Sequence, residues 1–133
     1  RHDCYCGKKG CIETFLSGPG FSKHYFDMYN IKLDAKIIQE NANNGDEKSL
    51  EFVFQYLDYL ARGLSQVINI IDPGAIVLGG GVINSISRYL PELQIMSNTM
   101  ALPGHRKTPI KITSLGEDVC LLGASVLVAK EII

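Results

Sequence analysis

The order of helical and strand-like patterns in this sequence predicts an α/β fold. Two short apolar segments with the character of β-strands, residues 75–78 and 110–113, each lie between longer segments with helical spacing. Two strands are few, since sheets usually contain about four to six. We therefore expect the 133-residue chain to be a single partial domain, the second part of something larger.

The N-terminal third combines a loop with a short helix. Residues 1–20 are rich in glycine and cysteine and lack any periodicity, which predicts an ordered loop leading into a helix near residues 12–16. Further along, Ala35, Ile37, Ile38 and Ala42 have helical spacing. That short helix is expected to end at Asn43, Asn44 and Gly45, which are typical helix-ending residues.

The clearest element is a long helix with one apolar face. Asp46 is its expected N-cap, and Asp72 with Pro73 ends it. Gly63 lies inside the helix at a cost of about 1 kcal/mol relative to alanine, which suggests a close contact there. The apolar positions are Leu50, Val53, Phe54, Leu57, Leu60, Ala61, Leu64, Val67, Ile68 and Ile71.

The C-terminal half supplies the strands. Residues 75–78 form an unbroken apolar run, the pattern of a buried parallel strand, and lead directly into Gly79, Gly80 and Gly81 at the edge of the sheet. Residues 83–98 are expected to be helical, with an irregularity or break at Pro91. Residues 110–113 alternate as a strand, and residues 120–133 fit a closing helix.

Composition excludes several classes of protein. Thirteen basic and fourteen acidic residues give a net charge of −1 without a basic tract, which argues against a general nucleic-acid or anionic-membrane binder. No apolar run approaches the roughly 20 residues of a membrane-spanning helix, and the polar start is unlike a signal peptide. We therefore expect a soluble, cytoplasmic protein.

Three of the four cysteines, Cys4, Cys6 and Cys11, lie within eight residues, a distribution that suits a metal ion better than disulfides. Zinc is the natural occupant, because it prefers four tetrahedral ligands that include thiolates. A fourth ligand must come from elsewhere, and His2 is the nearest candidate. Three reduced thiols that merely pack together are the alternative.

Several other residues allow both a functional and a structural interpretation. Gly79, Gly80 and Gly81 after a strand could approach a nucleotide or simply form a tight turn. Glu13 could accept hydrogen bonds from sugar hydroxyls, or it could be a solvated glutamate at the start of a helix. Asp118 fits a helix N-cap, and His24 and His105 are expected to be ordinary surface or packed histidines.

Residues 4–13, CYCGKKGCIE, followed by Ser17 and Gly18, resemble the CxCGxxGCxE motif of the ROK family of bacterial sugar kinases and sugar-responsive repressors. The later family features are also similar and occur in order. The sequence of residues 4–21 is most similar to the fructokinase branch of this family. The later family features mentioned above are residues 69–73 (NIIDP), residues 76–81 (IVLGGG) and residues 122–124 (LGA).

The resemblance implies an actin-like ATPase, ribonuclease H-like sugar-kinase fold, with this chain as most of the C-terminal lobe. It implies a zinc-binding loop over residues 1–20 and an α/β core over residues 46–133. Cys4, Cys6 and Cys11 would hold a structural zinc, and Glu13 would bind the hexose. Residues 79–81 would line the adenosine end of the ATP site.

The implied activity is transfer of a phosphoryl group from Mg·ATP to the 6-hydroxyl of a hexose, fructose or a related sugar. A homodimer is also implied. The alternative is a sugar-sensing repressor of the same family, the one case in which nucleic acid would be a partner. The family's histidine zinc ligand, its DxGxT loop and its catalytic aspartate would all fall before Arg1, so the isolated chain is expected to be inactive and to contain no catalytic residue.

Overall fold

The computed structural model describes residues 2–104, 108–116 and 121–126. Six α-helices, one 3-10 turn and two β-strands are bounded within these ranges, and residues 121–126 are also helical. The elements are α1 (Glu13–Leu16), α2 (Gly18–Tyr29), α3 (Ala35–Asn43), α4 (Glu47–Ile71), β1 (Ile76–Leu78), α5 (Gly81–Ser85), the 3-10 turn (Ser87–Tyr89), α6 (Leu90–Met100) and β2 (Ile110–Ile112).

The long helix α4 is the centre of the fold. Its N-cap is Asp46, as predicted, and the Asp46 carboxylate accepts a hydrogen bond from the Ser49 N–H at 2.9 Å. It ends at Asp72, whose φ of 45° turns the chain out of the helix. Helices α3 and α6 both pack on it. The core that it organises also contains Phe21 of α2 and Ile38 of α3.

The two strands pair in parallel, with Ile76 opposite Ile110 and Leu78 opposite Ile112. Ile76 and Leu78 pack on the core, but the prediction of a fully buried strand is wrong for Val77, which is 63% exposed. Val77 points to the opposite face of the sheet, and the described residues leave that face uncovered. Burial of one face of the strand accounts for the apolar residues Ile76 and Leu78.

Helix α2 begins at Gly18, so the prediction of a loop up to residue 20 is wrong at its end, and the sequence pattern does not indicate the helix that follows. Ser17 caps it by accepting a hydrogen bond from the Gly20 N–H at 3.1 Å. Phe21 and Tyr25 are buried, with ring centroids about 5 Å from the Phe52 ring of α4. This packing outweighs the low helix propensity of the glycines.

Gly20 lies in a tight crossing between α2 and α1. A Cβ atom at Gly20 would lie 2.6 Å from the Thr14 carbonyl oxygen, which is backbone and cannot rotate away. We expect Gly20→Ala to lower the free energy of unfolding by roughly 1–3 kcal/mol because α2 must shift. Urea denaturation tests this, with Gly74→Ala as the control, since a Cβ there meets nothing within 4 Å. Equal destabilisation by both variants would contradict the close approach.

The segment predicted as one helix over residues 83–98 is two helices joined by the 3-10 turn. Pro91 lies in the first turn of α6, where its missing N–H removes no helical hydrogen bond. The predicted break near Pro91 is therefore confirmed, and it falls just before the proline, in the 3-10 turn Ser87–Tyr89. Residues 121–126 are helical, which confirms part of the predicted closing helix. The rest of that helix lies outside the described residues, as do Asp118 and His105. No helix in the described ranges has the length and apolar character needed to span a bilayer.

Candidate metal centre and adjoining cavities

The three clustered cysteines converge in one small loop. The Sγ atoms of Cys4, Cys6 and Cys11 all lie within 4.8 Å of one another, and the Cys6 and Cys11 sulfurs are 3.7 Å apart. Two glycines with positive φ, Gly7 at 82° and Gly10 at 71°, make the turns that bring the sulfurs together. The loop is closed by backbone hydrogen bonds, including the Cys4 N–H to the Lys8 carbonyl at 2.8 Å.

The electrostatics of this cluster favour a cation. The Lys8 backbone and the other two thiols stabilise a thiolate at Cys6 and lower its pKa. Hydrogen bonds to Cys6 and Cys4, and to a smaller extent repulsion by negative charge on those two cysteines, raise the pKa of Cys11 to about 11. Three sulfur ligands at this spacing fit zinc, whose two positive charges would allow all three to ionise.

The structure does not bring His2 into this cluster. Within the ranges that the structure describes, the one group of three or more possible metal ligands contains only the three cysteines. Instead, the His2 Nδ1 atom lies 3.2 Å from an Asp27 carboxylate oxygen. His24 packs against Phe15 and Phe52, and burial lowers its pKa, so it is an ordinary packed histidine as predicted.

A first cavity of about 270 Å³ adjoins the cysteine loop and includes Glu13 in its wall. Glu13 is exposed in the first turn of α1. The next residue, Thr14, ties α1 to the loop through its N–H and its hydroxyl, which donate to the Cys11 carbonyl at 2.9 and 2.6 Å. The position of the Glu13 carboxylate therefore depends on the cysteine loop. The cavity is lined by His2, Asp3, Cys4, Tyr5, Glu13, Thr14, Ser17, Pro19, Gly20 and Lys23.

A second cavity of about 250 Å³ lies beside the glycine turn. Gly80 adopts φ 106° and ψ 162°, a conformation that residues with a side chain rarely adopt. Burial raises the pKa of Tyr56 to about 12, and its protonated hydroxyl donates to the Leu16 carbonyl at 3.1 Å. The cavity is lined by Leu16, Ser17, Gly18, Tyr56, Leu60, Gly79, Gly80, Gly81, Val82 and Ile83.

The two cavities share one wall residue, Ser17, at the junction of α1 and α2. The structure thus places Glu13 and the three glycines in neighbouring cavities on either side of this junction. Sequence reasoning did not single out Tyr5 or Lys23, which also line the first cavity. Lys23 lies on the helix that the sequence pattern failed to indicate, and a single exposed tyrosine has no periodicity that could mark it.

Comparisons with known proteins show the family of this chain. The ROK family model matches residues 1–131. An N-acetyl-D-glucosamine kinase of Pasteurella multocida is 32% identical over 95% of this chain and 41% of its own length. Another, from Pectobacterium carotovorum, is 43% identical over 68% of this chain and 31% of its own length. The chain therefore spans less than half the length of the curated relatives that it matches.

Solved structures show the same fold. A ROK hexokinase from Thermus thermophilus matches 94% of this chain and 43% of its own chain, at 29% identity and a TM-score of 0.80. A ROK family transcriptional regulator matches at 21% identity and a TM-score of 0.70, a likeness that concerns the fold alone. The fold is the α/β, actin-like ATPase fold of these proteins, and the match over residues 1–131 shows that the chain belongs to the ROK family.

Proposed function

We propose that this chain is part of an ATP-dependent kinase that phosphorylates the 6-hydroxyl of a hexose. The observation that carries the proposal is the pair of adjoining cavities at Ser17, one containing Glu13 and the other lined by the glycine turn. Phosphoryl transfer requires two substrates held side by side, and two neighbouring cavities suit that requirement. A cytoplasmic homodimer, expected from the sequence and the family resemblance, is part of the proposal.

In this proposal each cavity has one ligand. The Glu13 carboxylate accepts hydrogen bonds from sugar hydroxyls, which are stronger than neutral hydrogen bonds because the acceptor is charged. The backbone of Gly79, Gly80 and Gly81 lies against the nucleoside of Mg·ATP. Cys4, Cys6 and Cys11 would hold a zinc ion that stabilises the loop next to Glu13. The role of this ion would be structural.

The identity of the sugar is the finer part of the proposal. The sequence of the motif, residues 4–21, resembles fructokinases. In contrast, curated relatives that match 95% of the chain are named N-acetyl-D-glucosamine kinases. We give N-acetylglucosamine first place because these relatives match the chain well beyond the motif. Fructose, glucose and mannose complete the set of candidate substrates.

The proposal is tested on the parent protein, meaning this chain together with the segment that corresponds to the rest of its relatives. Its zinc-loaded form is incubated with Mg·ATP and each of the four sugars, and formation of ADP and of sugar 6-phosphate is measured. We expect phosphorylation of at least one sugar. Failure with all four, in a protein that binds both zinc and ATP, would refute the kinase function.

A sugar-responsive repressor is the outcome that would replace the kinase. Such a protein would bind one of the sugars without forming ADP, and the parent sequence would contain a basic helix-turn-helix in place of the DxGxT loop. The Gly79–Gly81 turn beside the second cavity favours the kinase, because a repressor has no need for a nucleotide site.

The glycine turn itself can be tested through Gly80. An alanine there would meet no atom within 4 Å, so its effect arises from backbone strain at φ 106° and not from a clash. We expect Gly80→Ala to shift the turn and to raise the KM for ATP several-fold, with a smaller effect on the KM for the sugar. Gly74→Ala is the control. Unchanged ATP kinetics in Gly80→Ala would show that this turn does not contact the nucleotide.

A further inference from the structure

Tyr5 is a solvent-exposed aromatic residue at the proposed sugar cavity. It is 92% exposed, more than any other large apolar or aromatic side chain among the described residues, and it lines the same cavity as Glu13. An exposed aromatic ring gains nothing for the fold, because it removes almost no apolar surface from water. A ring so placed at the rim of a cavity is available to a ligand.

The position of Tyr5 in the chain keeps its backbone in place. It lies between Cys4 and Cys6, two of the three residues whose sulfurs converge. On its two sides the Cys4 N–H donates to the Lys8 carbonyl at 2.8 Å, and the Gly7 N–H donates to the Cys4 carbonyl at 3.0 Å. With the backbone held in this turn, the ring can move only about its two side-chain torsions, so little entropy is lost when a ligand packs against it.

The other walls of the cavity combine polar groups with apolar surface such as that of Pro19. Glu13 offers an acceptor, and Lys23 offers a donor whose Nζ lies 3.2 Å from the Asp27 carboxylate. A hexose ring has hydroxyls around its rim and C–H groups on its faces, so a complete site needs an apolar surface as well as hydrogen-bonding groups. Two aromatic rings line this cavity, and they differ in exposure: Tyr5 is 92% exposed, whereas the His2 side chain is 16% exposed and packs against Phe15.

We propose that Tyr5 is a sugar-binding residue whose ring packs against the apolar face of the hexose, on the loop that also positions Glu13. The inference rests on the proposed function and deepens it, since it names the residue that binds the face of the sugar. Tyr5 acts by binding and touches none of the atoms that react. Its loss should therefore weaken ground-state and transition-state binding to the same extent.

The test compares Tyr5→Ser and Tyr5→Phe with the wild-type parent protein. We expect Tyr5→Ser to raise the KM for the preferred sugar about 2- to 12-fold, the range that a packed aromatic contact commonly contributes, with kcat within about twofold. Tyr5→Phe keeps the ring and should keep KM within about twofold of the wild type. Calorimetric titration with the sugar in the absence of ATP should give the same increase in Kd for Tyr5→Ser.

Two controls separate sugar contact from a structural role. Zinc content is measured in each variant, because a serine between two ligand cysteines could disturb the metal loop. Loss of zinc in Tyr5→Ser but not in Tyr5→Phe would overturn the inference and make the ring a support of the loop. Ile70→Ser removes a side chain that is 81% exposed near the end of α4 and should leave the kinetics unchanged.

The remaining outcomes distinguish this inference from the proposed function. If the wild type binds a sugar but phosphorylates none, the kinase function fails, and the Kd values of the variants still decide the role of Tyr5. If the wild type phosphorylates a sugar and Tyr5→Ser has the same KM and Kd, the kinase function stands and the inference is wrong. A wild-type protein that binds none of the sugars overturns both.

Discussion

Glu13→Gln is expected to lower kcat/KM for the hexose by about 10- to 100-fold, since each hydrogen bond to a charged group contributes roughly 1.5–3 kcal/mol. Glutamine keeps the size of the side chain and one acceptor oxygen but removes the negative charge. The Glu13 carboxylate lines the first cavity and is exposed, so a sugar can reach it without displacing part of the fold. Steady-state kinetics with saturating Mg·ATP measure the loss.

The matched control is Glu47→Gln. Glu47 is also an exposed glutamate in the first turn of a helix, α4, but it does not line the first cavity. If Glu13 only interacts with the helix dipole, both variants should lower stability by a similar small amount and leave the kinetics unchanged. That result would refute a sugar-binding role for Glu13. A kinetic loss confined to Glu13→Gln, with equal thermal stability of the two variants, would support it.

Cys11→Ser should abolish zinc binding, reducing the content of the purified parent protein from about one ion to none, because a serine hydroxyl is a poor ligand for zinc. The change should also lower the melting temperature, since binding energy of the metal is folding energy for the loop that it closes. Cys11 is tied to α1 through Thr14, next to Glu13, so sugar binding should weaken as well. Elemental analysis, thermal unfolding and sugar titration test these three effects.

Two comparisons make this experiment decisive. Cys4→Ser and Cys6→Ser should behave like Cys11→Ser, because all three sulfurs lie within the same 4.8 Å cluster. Cys120→Ser changes the one cysteine far from the cluster in sequence and should keep its zinc. A wild-type protein with three freely alkylated cluster thiols and no zinc would favour the alternative in which these cysteines are simply reduced.

The elements that could be predicted from the sequence are those whose pattern is local and long. The periodicity of α4 extends over several turns, and Asp46 and Asp72 mark its ends within one residue. Helix α2 could not be predicted, because its first turn contains Gly18 and Gly20, which have poor helix propensity. It forms because Phe21 and Tyr25 are buried against α4, a contact between segments far apart in the sequence.

The sequence by itself determined the cysteine loop, because all three cysteines and the two turning glycines lie within eight residues and the chain needs no distant partner to bring them together. It also predicted the positions of two strands and the family to which the chain belongs, whereas the structure showed that the two strands pair in parallel. Only the tertiary structure decided that Tyr5, Glu13 and Lys23 share one cavity and that this cavity adjoins the glycine turn at Ser17. Those relations depend on how α1 and α2 pack on α4, and packing between remote segments leaves no spacing in the sequence that could reveal it.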